Sequence, residues 1–125
     1  GLLFESLLSP ATYVVQTAPV LRGRLDTEAF RAAWQQVVDR HDVFRTAFVE
    51  DGRGPHQVVL AHAELPWHEE DWRALSEAEQ ATRFAAYQEA DRAAGFDFTR
   101  PPLLRIALFR LADDRYRLLW THHHV

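Results

Sequence analysis

The chain has 125 residues, 47% of them hydrophobic and 26% charged, the profile of a soluble globular domain with enough residues for one core. Its net charge of −4 is opposite to the basic surface of a nucleic-acid-binding domain, and no apolar run approaches the roughly 20 residues that span a bilayer. The absence of cysteine excludes disulfides, thiolate nucleophiles and cysteine metal sites together.

The elements follow in chain order. Leu2–Leu8 is an apolar stretch closed by Ser9-Pro10 and fits about two helical turns. Residues 13–25, rich in Val, Thr and Tyr, predict a strand in which Pro19 forces a bulge or an edge position. Asp26 is placed to N-cap the next helix, with Leu25 and Phe30 at hydrophobic-staple positions. Phe30, Ala33, Trp34, Val37, Val38 and His41 then keep helical spacing.

A strand over 44–50, the turn Asp51-Gly52-Arg53-Gly54 and a returning strand over 57–60 predict a hairpin. Residues 61–75 read as irregular. Ser76-Glu77-Ala78-Glu79 is a capping box that opens a helix running to Gly95. After an extended connection through Pro101-Pro102, strands over 103–111 and 116–124 flank a turn at Ala112-Asp113-Asp114. The order β-α-β-β-α-β-β indicates an α/β layered domain. Gly1 enters its apolar stretch without a lead-in, and Val125 follows three histidines with no turn. The chain is therefore expected to be part of a longer one, truncated at both ends.

The last strand carries the chemistry. Alternation puts Tyr116, Leu118, Trp120, His122 and His124 on one face and Arg117, Leu119, Thr121 and His123 on the other. Three readings of the histidines compete with a tag remnant. His122-x-His124 has metal-ligand spacing but needs a third ligand, and His41, His56, His62 and His68 are scattered. Histidines at a strand end are also ordinary surface residues. The third reading is a general base, since histidine titrates near neutrality. A second constellation is Arg40-His41-Asp42-Val43-Phe44-Arg45-Thr46-Ala47-Phe48, a helix end running into a strand. By spacing alone it needs no more than a helix dipole partner at Arg40 and His41 and core residues at Val43, Phe44 and Phe48.

Four segments together resemble the condensation domains of nonribosomal peptide synthetases, of the chloramphenicol-acetyltransferase-like superfamily. His123-His124-Val125 is similar to the start of that family's HHxxxDG motif. Arg40–Phe48 is similar to its RHExLRTxF motif, with Asp42 for Glu and Phe44 for Leu. Gly1-Leu2-Leu3-Phe4 resembles the end of its opening motif, and Phe96-Asp97-Phe98 with Pro102-Leu103-Leu104-Arg105 resembles its FDL…PLLR segment. The motif's Asp and Gly would fall at the third and fourth positions beyond Val125.

The resemblance implies that residues 1–125 are the N-terminal part of a two-lobed, V-shaped enzyme. The fold implied is an incomplete, chloramphenicol-acetyltransferase-like layered lobe with a mixed sheet and packed helices. The activity implied is amide-bond formation between aminoacyl or peptidyl thioesters. These would arrive on phosphopantetheine arms of donor and acceptor peptidyl carrier domains, beside an adenylation domain, in the cytoplasm.

No directly bound cofactor or metal is implied, nor any nucleic-acid or membrane partner. The catalytic motif would be His123-His124, with His124 as base or amine positioner and His123 as structural neighbour. Arg45, with Arg40 as second choice, would support the motif by pairing with its aspartate. The fragment alone would be inactive. An epimerization domain, a non-catalytic recruitment module and a standalone acyltransferase of the same fold are the alternatives.

Overall fold

A computed structural model describes residues 13–123. The apolar stretch Leu2–Leu8, the opening Gly1–Phe4 and His124 lie outside them. Among the described residues the main sheet has five strands: β1 (Val14–Thr17), β2 (Val20–Arg22), β5 (Trp67–Asp71), β6 (Leu104–Ala112) and β7 (Arg115–His123). Its order is β1-β7-β6-β5, with β2 also paired to β7. Of these pairs β5–β6 is parallel and the others antiparallel, so the sheet is mixed. Strands β3 (Thr46–Glu50) and β4 (Pro55–Val59) form the hairpin as a separate two-stranded sheet.

Helix α1 (Thr27–Arg40) covers one face of the sheet. Its Asp26 cap accepts a hydrogen bond from the Ala29 N–H at 3.1 Å. Leu25, Phe30 and Trp34 pack with Val38 on Leu104, Ile106, Leu108, Tyr116 and Leu118. Helix α2 (Glu77–Ala94) covers the other face, where Phe84 and Tyr87 pack with Trp72, Ala107, Phe109 and Leu119. Strand β6 is therefore buried on both faces, which is why 104–109 reads as a near-continuous apolar run interrupted by one arginine. Ser76 caps α2 by accepting from the Glu79 N–H at 3.1 Å. Gly95 ends it at φ 59° and ψ −150°, a combination open essentially to glycine alone.

Three expectations change. The strand over 13–25 is two short strands separated at Pro19, whose missing N–H is tolerated because both lie at the sheet edge beside β7. The strand over 44–50 begins at Thr46, because Asp42–Arg45 winds into a 3₁₀ turn, with Thr46 Oγ1 donating to the Asp42 carbonyl at 2.8 Å. Residues 61–75 are not irregular throughout. Trp67–Asp71 is β5, the strand after which α2 crosses over to β6. Its polar sequence hid it, since an edge strand tolerates charge and lacks the apolar alternation of a half-buried one.

Candidate functional site

The two faces of β7 separate the adjacent histidines as alternation requires. His122 continues the row of Trp120, with ring centroids 5.3 Å apart, and Trp120 in turn meets Trp34 of α1 at 5.3 Å. His123 points toward the α2 face, where it is buried among Phe98, Tyr13 and Phe96, at centroid distances of 4.8, 6.1 and 6.3 Å. Its backbone N–H donates to the Leu103 carbonyl at 3.0 Å, which extends pairing with β6 by one step.

A cleft of about 620 Å³ lies at this end of the sheet. His122, His123 and Trp120 of β7 line it, with Leu103 before β6, and Val43, Phe44, Thr46, Phe48 and Gln57 from the hairpin side. Segments far apart in the chain thus share one mostly apolar cleft. The Phe48 N–H donates to the Phe98 carbonyl at 2.8 Å and ties the hairpin to the segment covering His123.

Arg45 sits beside the cleft-lining residues, with its side chain only 13% exposed. It donates to the carbonyls of Val38 (Nε, 3.3 Å) and Leu60 (Nη1, 2.5 Å) and to the Asp42 carboxylate (Nη2, 2.7 Å). The Leu60 N–H returns a bond to the Arg45 carbonyl at 2.8 Å. Arg45 therefore joins the end of α1, the 3₁₀ turn and the end of the hairpin. Arg40, in the last turn of α1, is exposed and does not line the cleft.

Sequence reasoning missed the polar group beneath His123. The Asp91 side chain, 9% exposed, accepts from Arg105 (Nε, 2.8 Å), from Gln16 (Nε2, 3.2 Å) and from the Thr121 hydroxyl. Arg105 also donates to the carbonyls of Asp91 (2.7 Å) and Gly95, and its guanidinium lies 4.1 Å from the centre of the Phe96 ring. An arginine in the apolar run of β6 was the available signal.

Elsewhere, His68 stacks on Tyr87 at 5.1 Å and contacts Glu70 at 2.5 Å, which holds the Glu70 carboxyl below its ordinary value. Burial, and then the nearby Asp91 carboxylate, push the Tyr87 phenol up. Among the described residues, no group of three or more His, Asp and Glu is arranged to hold a metal ion.

A mixed sheet between two helices is the chloramphenicol-acetyltransferase-like fold. The chain belongs to the condensation-domain family: the family model "Condensation domain" matches residues 1–125.

Among its relatives, a linear gramicidin synthase of Brevibacillus parabrevis is 41% identical over all of this chain, which spans 2% of that protein. A plipastatin synthase of Bacillus subtilis (strain 168) is also 41% identical over the whole chain, which spans 5% of it. The crystal structure of SgcC5 from Streptomyces globisporus matches 92% of this chain and 26% of its own, with a TM-score of 0.77 at 28% identity. The first condensation domain of the calcium-dependent antibiotic synthetase, in complex with a substrate analogue, shares the fold at a TM-score of 0.83 and 21% identity. That match covers 98% of this chain and 30% of the other.

Proposed function

We propose that this chain supplies the histidine-motif half of a condensation domain that forms amide bonds in nonribosomal peptide synthesis. The amine on an acceptor carrier domain would attack the thioester on a donor carrier domain, releasing the donor's phosphopantetheine thiol. His124, the second histidine of the motif, would take the amine's proton or position the amine. His123 would support it from the opposite face of the strand. Arg45 would hold the motif's aspartate, with an adenylation domain as neighbour and the cytoplasm as compartment. The chain alone would be inactive, because a tunnel between two lobes needs the second lobe.

One observation carries this reading. Residues from the Arg40–Phe48 segment, Leu103 of the Pro102–Arg105 segment, and His122 and His123 at the end of β7 border a single cleft.

The test uses the full-length protein with both carrier domains loaded. Single-turnover amide formation should fall by roughly 10²- to 10⁴-fold in His124→Ala, the range of a positioned proton acceptor, with an unchanged melting curve. A wild-type turnover rate in His124→Ala would overturn the assignment. Stereochemical inversion of a single carrier-bound aminoacyl group, without amide formation, would identify an epimerization domain instead.

A further inference from the structure

Cross-strand register puts Gln16, Thr121 and Arg105 in one row: Gln16 of β1 faces Thr121 of β7, and Thr121 faces Arg105 of β6. All three side chains donate to the single carboxylate of Asp91 on α2. The next row on the same face, two residues or about 7 Å along the strands, is Val14 paired with His123, whose N–H reaches the Leu103 carbonyl. One buried carboxylate thus stitches three adjacent strands immediately below the histidine motif.

The same group reaches His123 by a second route. Arg105, held by Asp91, donates to the Gly95 carbonyl and covers the Phe96 ring where the chain leaves α2. Phe96 and Phe98, in the segment that follows, enclose the His123 ring. The floor under the motif and its flanking wall therefore depend on one ion pair, in which Asp91 is nearly inaccessible.

We propose that Asp91 is a positioning residue for the histidine motif, acting through Thr121 on the strand and through Arg105 on the Phe96–Phe98 wall. This rests on the condensation reading for its effect on rate, but not for its effect on His123. Charge-assisted bonds are short and directional, so three of them on one carboxylate limit sliding of β7 against its neighbours. Loss of a bond should shift the strand end by a fraction of an ångström, and misplacements on that scale cost catalysis heavily.

The experiment compares Thr121→Val, Thr121→Ser and Asp91→Asn with wild type in the full-length protein. Two readouts are taken well below the melting temperature. Single-turnover amide formation should slow roughly 10- to 100-fold in Thr121→Val and Asp91→Asn, with unchanged KM for both loaded carrier domains. Thr121→Ser, which keeps the hydroxyl, should retain the wild-type rate. The second readout is acylation of histidines by diethylpyrocarbonate, mapped by mass spectrometry. His123 should react several-fold faster in the two damaging variants, while exposed His56 on the hairpin keeps its wild-type rate.

Wild-type rates and wild-type His123 reactivity, with only the melting temperature lowered, would reduce Asp91 to a structural role and overturn the proposal. If the wild-type protein forms no amide, the functional reading fails, and His123 reactivity alone decides the positioning role in either direction.

Discussion

The Phe98 ring stands edge-on to the His123 ring, with centroids 4.8 Å apart and planes at 88°. Phe98 is itself buried, and its carbonyl accepts from Phe48 of the hairpin. The contact therefore joins the strand that ends in His122 and His123 to the Arg40–Phe48 segment through one residue. It also sets His123 apart from its neighbour His122, because His123 is enclosed by aromatic side chains and packs as a core residue does.

Phe98→Ala should destabilise the condensation domain by about 3–5 kcal/mol, the range for truncating a buried phenylalanine. Phe98→Leu should cost less, because much of the volume is kept. His123→Ala should likewise act through stability, with a lowered denaturation midpoint accompanying any loss of rate. Urea unfolding read beside single-turnover kinetics checks both. A His123→Ala protein with wild-type stability and no activity would mean that the motif is registered one residue out.

Arg45 and Arg40 are expected to differ sharply. The Arg45–Asp42 ion pair contributes little, since Asp42 is 78% exposed and solvent screens it. The two carbonyl bonds from a charged, largely buried group matter more, at about 1.5–3 kcal/mol for each such hydrogen bond. Arg45→Ala should therefore cost about 3–6 kcal/mol. Arg40→Ala and Asp42→Ala should stay within about 0.5 kcal/mol, as surface changes do. Equal effects at Arg45 and Arg40 in denaturant unfolding would contradict this partition.

Acid should remove the Arg73 ion pairs at the far end of the sheet. Arg73 donates to Asp71 and to Asp113, and these bonds hold the Asp71 carboxyl down to about 2 and lower that of Asp113. A folded-state value below the ordinary 3.8 means the contribution is complete above that pH and is lost as the pH falls toward about 2. The melting-temperature penalty of Asp71→Asn should therefore be full at pH 6, smaller at pH 3 and nearly gone by about pH 2. A penalty that persists undiminished through that range would show that the carboxylate charge is not what Arg73 holds.

Local features were legible because their causes are local. Asp26 and Ser76 cap their helices through bonds within three residues. Gly95 stops α2 through its own backbone freedom, and alternation along β7 separates His122 from His123 without reference to any other segment. Composition excluded thiol chemistry outright, and the order of four short segments was enough to indicate the family that the comparison then showed.

What only the tertiary structure decided were relationships whose partners are distant in sequence. β5 is a strand because β6 offers it parallel hydrogen bonds, and Glu69, Glu70 and Asp71 carry no periodic sign of that. Nothing in the sequence links Gln16 and Asp91 to each other or to Arg105 and Thr121. Their convergence depends on register across three strands and on the angle at which α2 crosses them. Side-chain alternation is fixed by one residue's covalent geometry, whereas a shared carboxylate is fixed by packing among segments as distant in sequence as Gln16 and Thr121.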